Sequence, residues 1–196
     1  ETGIDLYKLP IQEKKAILSS CIYGIDIDIH AVEVAKFSLL IKLLEDETTP
    51  SVTEVSPILP DLGKNIQFGN SLVSRLELQG INNASHQILE IAPFDWSEIN
   101  NGCKFDAIIG NPPYQLSDGG GTGSSAMPIY HKFIQQSKKL NPRFISMIIP
   151  SRWMTGGFAL DKFREEMLDD KCFKVLHDYF NADKVFPGIA LTGGVA

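Results

Sequence analysis

Cysteine is scarce in this 196-residue chain: Cys21, Cys103 and Cys172 lie far apart, with no CxxC pair. That spacing argues against a disulfide framework or a thiolate zinc site and fits a reducing compartment, so the three read as small buried hydrophobes. Long apolar runs are missing too. No stretch reaches the ~18 residues of a membrane span, and the N-terminus lacks the basic-then-apolar layout of a signal peptide. The expectation is a soluble, cytoplasmic protein with no membrane partner. Basic excess is the third absence: 18 Lys and Arg stand against 24 Asp and Glu, a net charge of −6. A nucleic-acid footprint normally shows as surplus positive charge, so any phosphate grip must come largely from elsewhere. What is present is an ordinary globular composition. One domain, 1–196, can bury roughly 70% of its unfolded surface without a metal or disulfide. The chain begins at Glu1 and stops on Gly193-Gly194-Val195-Ala196, a strand-like run with no capping turn, and both ends read as cut.

Between those ends apolar strand-like runs alternate with amphipathic helical ones, the pattern of parallel βαβ units. Leu9-Pro10 through Ser19 reads as a turn and helix, and Cys21 to Ile27 as a strand. A helix from His30 to Leu44 follows, with Asp28 as its N-cap. Prolines 50, 57 and 60 mark an irregular connection before the short strand Ile66-Gln67-Phe68. Residues 72–101, ending in Pro93-Phe94-Asp95-Trp96, read only as loop with some helix. Phe105 to Gly110 suits a buried parallel strand. Helices are expected over 127–140 and 158–168, the second with a solvated charged face, with another buried strand over 144–149 and further strands over 174–179 and 189–196. No internal repeat is present.

The sharpest chemical signal is Asn111-Pro112-Pro113-Tyr114, directly after the strand ending at Gly110. Two consecutive prolines remove two backbone donors and fix φ, which leaves the carbonyls of the turn available as acceptors. In an open parallel sheet the carboxyl ends of the strands face the ligand crevice, so this rigid polar turn sits where chemistry is expected.

Here the sequence resembles the amino-group methyltransferases that use S-adenosylmethionine, in which such an Asn-Pro-Pro-aromatic motif follows the fourth strand. The resemblance covers nearly the whole chain. It is closest to the DNA adenine-N6 methyltransferases of restriction–modification systems, particularly those that carry methylase and recognition parts on one polypeptide. It implies an α/β fold, a Rossmann-like class I methyltransferase sheet flanked by helices. It also implies cofactor-binding roles. Tyr23-Gly24-Ile25-Asp26-Ile27-Asp28 looks like the second motif, with Asp26 accepting from the ribose hydroxyls, Ile27 against the adenine ring and Asp28 as helix cap. Phe68-Gly69-Asn70 resembles the third, with Asn70 toward the cofactor's amino group where the family more often has Asp; a plain turn residue is the alternative. Residues 148–153 and Val185-Phe186-Pro187-Gly188, followed by Gly193-Gly194-Val195, resemble the later motifs, and Phe186 corresponds to the aromatic that stacks on the target base. Trp153 reads as a packing residue.

Two other signals are set aside. The tract Gly119-Gly120-Gly121-Thr122-Gly123 lacks the Lys-Ser/Thr of a phosphate loop and reads as a mobile loop beside the target pocket. His131 has no Cys or His at metal spacing and reads as a solvated or core residue.

The reaction implied is methyl transfer to N6 of an adenine flipped out of DNA. The Asn111 side chain and the Pro112 carbonyl, with Pro113 fixing the turn, would accept the N6 protons, and Tyr114 and Phe186 would hold the base. No metal is expected. The sequence departs from the family in one respect: nothing in residues 1–20 matches the glycine-rich motif of the first, central strand. A target-recognition domain is not recognisable either. The chain therefore reads as part of a longer enzyme, inactive by itself, weak in cofactor binding, prone to self-association through an open sheet edge, and reliant on the rest of the protein for DNA. A methyltransferase acting on protein glutamine amides or RNA, and a non-catalytic remnant, remain as alternatives.

Overall fold

A computed structural model of the chain describes residues 9–49, 51, 56–74, 92–102, 104–115, 127–157, 159–187 and 194–196. Cys103, the glycine tract 119–123, Phe158, Gly188 and Gly193, all invoked above, lie outside the described residues, as does most of the strand expected over 189–196. The chain divides into two compact units, 1–103 and 104–196, each taken by itself.

In the first unit, α1 (Ile11–Cys21) precedes strand β1 (Gly24–Asp26), helix α2 (Ile29–Leu44) and strand β2 (Ile66–Phe68). β1 and β2 pair in parallel, Gly24 opposite Ile66 and Asp26 opposite Phe68. Their ends are fixed by local chemistry. Buried Asn65 donates its amide to the carbonyls of Ser19 and Ile22, at 2.9 and 3.0 Å, tying the end of α1 to the start of β2. Asp28 caps α2, its carboxylate accepting from the His30 N–H at 2.8 Å, as its position in the sequence predicts. Ile11, Leu18, Val32, Leu43, Leu62 and Ile66 form the core. α2 is apolar on a second side as well, where Val34, Phe37 and Ile41 are exposed.

In the second unit, β3 (Ala107–Gly110) pairs in parallel with β4 (Phe144–Met147) across helix α3 (Tyr130–Lys139), a βαβ arrangement. A 3-10 turn, Ser151–Thr155, leads to helix α4 (Asp161–Asp169). The last residues return antiparallel: Val195 bridges both Pro150 and Tyr179. Tyr130, Ile134, Ile149, Trp153, Leu160, Phe163 and Met167 make the core, so Trp153 packs as expected.

The α/β character and the parallel strand pairing are thus as the sequence reads, the strands forming two two-stranded sheets among the described residues, while three local expectations are corrected. Neither β3 nor most of β4 is buried: Ile109 and Phe144 are exposed, because each strand has only the other beside it among the described residues. Cys21 and Cys172 are exposed, at the end of α1 and in the turn after α4. The segment 174–179 forms no extended strand, only the bridge at Tyr179.

Candidate functional site

The residues singled out by sequence fall in both units. In the first, Asp26 ends β1 and Asn70 lies two residues beyond β2. Because the strands are parallel, both stand at the same carboxyl end, joined where the Gly69 N–H donates to the Asp26 carbonyl at 2.9 Å. One carboxylate oxygen of Asp26 accepts from the Asp28 N–H at 2.8 Å. This holds an exposed carboxylate in place while its other oxygen can still accept. Ile27, 57% exposed, follows it as an apolar surface.

Asn70 is half-buried, and its side-chain oxygen accepts from the Leu72 N–H at 3.1 Å. That is the turn role offered above as the alternative, and a carbonyl oxygen retains a second lone pair. The turn is backed by a segment that the sequence did not place: Pro93 bridges Asn70, and the Phe94 N–H donates to the Val73 carbonyl at 2.8 Å. Phe94 meets Trp96 edge-on, centroids 5.7 Å apart, and the Trp96 indole donates to the Ser71 carbonyl at 3.1 Å. Gly69 is required by this packing, since a Cβ there would lie 2.8 Å from the Phe94 ring. An aromatic pair after a proline, Pro93-Phe94-Asp95-Trp96, was the only signal for this support.

In the second unit Asn111 follows directly on β3. Asn111 and Pro113 are exposed, Pro112 is buried and Tyr114 half-buried. Among the described residues no backbone N–H donates to the carbonyls of Asn111 or Pro112. Burial pushes the Tyr114 hydroxyl above its ordinary pKa, and a hydrogen bond with the Asn111 side chain opposes that rise, so the structure brings these two side chains together. The Tyr114 carbonyl accepts from the Ile129 N–H at 3.2 Å, tying the turn to the start of α3. Phe186 is half-buried after a short 3-10 turn, Ala182–Lys184.

Behind this turn lies Tyr130, 2% exposed, its hydroxyl pushed up to about 12 by burial and its oxygen without a partner of good geometry. His131 is half-buried and packs against Phe163 with ring centroids 5.7 Å apart, and its pKa is held below the ordinary value mainly by burial. No cluster of metal-ligating side chains occurs among the described residues. A cavity of about 460 Å³ between α1 and α2, lined by Ile17, Leu18, Leu39 and Leu43, includes none of the site residues.

The family model of the Eco57I restriction-modification methylases matches residues 20–186, a range that runs from before Asp26 to Phe186. A type II restriction enzyme and methyltransferase of Escherichia coli, RM.Eco57I, is 45% identical over 112 residues, 57% of this chain and 10% of the relative. A protein of Mycoplasma pneumoniae described as an uncharacterized adenine-specific methylase is 37% identical over 94 residues, 47% of this chain and 22% of that protein. The chain thus spans a small part of the length of these relatives. No solved structure matches.

Proposed function

The chain belongs to the Eco57I restriction-modification methylase family, and from that premise we propose that it supplies catalytic and cofactor residues for methyl transfer from S-adenosylmethionine to N6 of adenine in DNA, in the cytoplasm. The observation that carries the reading is the Asn111–Tyr114 turn, which follows β3 directly and leaves the Pro112 carbonyl without a backbone donor among the described residues. The name of the Mycoplasma relative favours adenine.

The adenosine end of such a donor fits the first unit. Asp26 offers a pinned carboxylate for vicinal hydroxyls, Ile27 an exposed apolar surface for a ring, and Asn70 an amide at the neighbouring strand end. When bound, S-adenosylmethionine supplies an electrophilic methyl group on a sulfonium, so the chemical difficulty lies in the amine. The lone pair of an aryl amine is delocalised into its ring. The Asn111 side-chain oxygen and the Pro112 carbonyl, each accepting one N6 proton, favour the pyramidal nitrogen and stabilise the positive charge that grows on it during attack. Pro113 keeps that turn rigid. Tyr114 and Phe186 stack on the extruded base and offset the few kcal/mol that leaving the duplex costs. No strong base is needed, in keeping with a motif that contains none.

The first glycine-rich motif and the recognition of a DNA sequence are assigned to other parts of the polypeptide. β1 and β3 each have a single strand partner among the described residues, which supports this reading. The test is label transfer. The polypeptide, expressed with its adjoining coding sequence and given tritiated S-adenosylmethionine with DNA, RNA and protein, is expected to label DNA alone, and Asn111→Ala to abolish the label. Label in protein or RNA instead of DNA would overturn the proposal.

A further inference from the structure

Phe180 is 89% exposed, more than any other large apolar side chain among the described residues. Its place in the fold follows from the bridges around Val195. Val195 runs antiparallel to both Pro150 and Tyr179, so the segments carrying those two residues run the same way. Pro150 continues from β4, which is parallel to β3. Phe180, the residue after Tyr179, therefore leaves at the carboxyl end, as the Asn111–Tyr114 turn does from β3.

The ring is displayed from a fixed backbone. Tyr179 exchanges two backbone hydrogen bonds with Val195, at 2.8 and 3.1 Å. One residue earlier, the buried Ser151 hydroxyl donates to the Asp178 carboxylate at 2.5 Å. Gly194, at φ +78°, passes so close that a Cβ there would lie 3.0 Å from the Phe180 Cα. On the other side, the Asn181 side chain caps the 3-10 turn Ala182–Lys184 by accepting from the Asp183 N–H at 3.0 Å. The Phe186 N–H then donates to the carbonyl of buried Ala182 at 2.8 Å, so Phe180 and Phe186 belong to one hydrogen-bonded loop. A ring this exposed contributes little to the fold, and one held in advance lowers the ordering cost of a contact made through it.

The other exposed rings of this unit differ in place or in packing. Phe144 opens β4 at the opposite end, 5.0 Å beneath the Arg143 guanidinium, and Phe173 packs edge-on against Trp153. Tyr179 is held in the bridge and is 43% exposed. Ile109, next to Phe180 in degree of exposure, lies within β3, which has one strand beside it among the described residues. Charge narrows what Phe180 meets. Residues 178–186 carry two acids, Asp178 and Asp183, against the one base Lys184, which suits no phosphate and leaves a flat apolar face as what the loop offers.

Extrusion of an adenine creates a partner for such a face. The departing base leaves a gap walled by the flat faces of its neighbours, and an apolar side chain that enters recovers part of the lost stacking. Resting on the methylase reading, and extending it to how the duplex is held open, we propose that Phe180 enters the DNA and stacks on the base next to the target adenine. It acts on extrusion, ahead of the methyl transfer that Asn111 and Pro112 assist.

The experiment compares the polypeptide containing this chain, expressed with its adjoining coding sequence, with its Phe180→Ala and Phe180→Trp forms. The probe is a duplex carrying the methylation site with 2-aminopurine in place of the target adenine, a base that brightens when it leaves the stack. Phe180→Ala is expected to raise Kd for this duplex about tenfold and to lose most of the brightening at saturating protein, with the melting temperature of the protein within about a degree of the parent. Phe180→Trp is expected to restore both, since it restores a stacking face. Unchanged Kd and brightening in Phe180→Ala, while DNA is still methylated, would overturn the role of Phe180 and leave the methylase reading standing. A lowered melting temperature with unchanged brightening would mean that another part of the polypeptide covers the ring, and would overturn it too. If the unsubstituted polypeptide neither binds nor labels DNA, the methylase reading itself fails and this proposal goes with it.

Discussion

The Gly69 N–H donates to the Asp26 carbonyl at 2.9 Å, so the exposed carboxylate that ends β1 and the amide turn that follows β2 are parts of one hydrogen-bonded strand end. Parallel pairing makes this possible, because it carries both chain segments to the same edge before either turns away. The same logic operates in the second unit, where Asn111 and Ile148 leave side by side.

Gly69→Ala tests the first strand end. The added Cβ would sit 2.8 Å from the buried Phe94 ring, and overpacking of this kind costs about 1–3 kcal/mol. A lower urea midpoint is expected, along with weaker cofactor binding in the polypeptide that carries the chain. Asp26→Asn keeps the fold, since the carboxylate is exposed, and lowers cofactor affinity alone.

Asn111→Ala should leave the melting temperature within a degree or so of the parent, because the side chain is exposed, and cut kcat by about a hundredfold to a thousandfold through loss of a transition-state acceptor. Rapid-quench methyl transfer at saturating DNA separates that loss from a defect in binding.

Tyr130 sets a pH dependence at the alkaline end. Burial raises its hydroxyl from 10.0 to about 12, so the folded state favours the neutral phenol. The stability it contributes is complete below pH 10 and is lost as pH rises toward 12. Tyr130→Phe removes that dependence. At neutral pH it leaves stability unchanged or raised, because a buried hydroxyl without a well-formed partner has been removed. Urea denaturation at pH 7, 10 and 11.5 reads both effects.

At the acid end, the hydrogen bond from Lys138 holds the Asp170 carboxyl below its ordinary value. A depressed carboxyl stabilises the fold above the ordinary carboxylate range and ceases to as pH falls through its own lower value. Asp170→Asn is therefore expected to lower stability at pH 7 by at most about 1 kcal/mol, since the pair is partly exposed, and to match the parent in strong acid. Melting curves at pH 7 and pH 2 check it.

Features set by local chemistry were legible in the sequence. Asp28 caps α2 because a carboxylate two residues before an N–H can reach it, and Asn111-Pro112-Pro113-Tyr114 announces a rigid acceptor turn because the prolines themselves impose it. Features set by distant neighbours were not. The exposure of Ile109 depends on which strands flank β3, and the brace behind Asn70 on a return of the chain more than twenty residues later. The bracing of the 3-10 turn Ser151–Thr155 depends on Asp161 and Arg164, whose charges read in sequence only as a solvated helix face, and on Asp178, in a segment that reads as a strand. Asp26 and Ile27 were placed by resemblance, and the geometry adds that they share an edge with Asn70.

The central claim is the identity of the methylated atom, and nucleoside mass spectrometry reads it directly. DNA methylated by the polypeptide that contains this chain, digested to nucleosides, is expected to yield N6-methyldeoxyadenosine, and none from the Asn111→Ala form. Methylated cytosine in its place, or unmodified DNA from a folded, cofactor-binding polypeptide, would contradict the account.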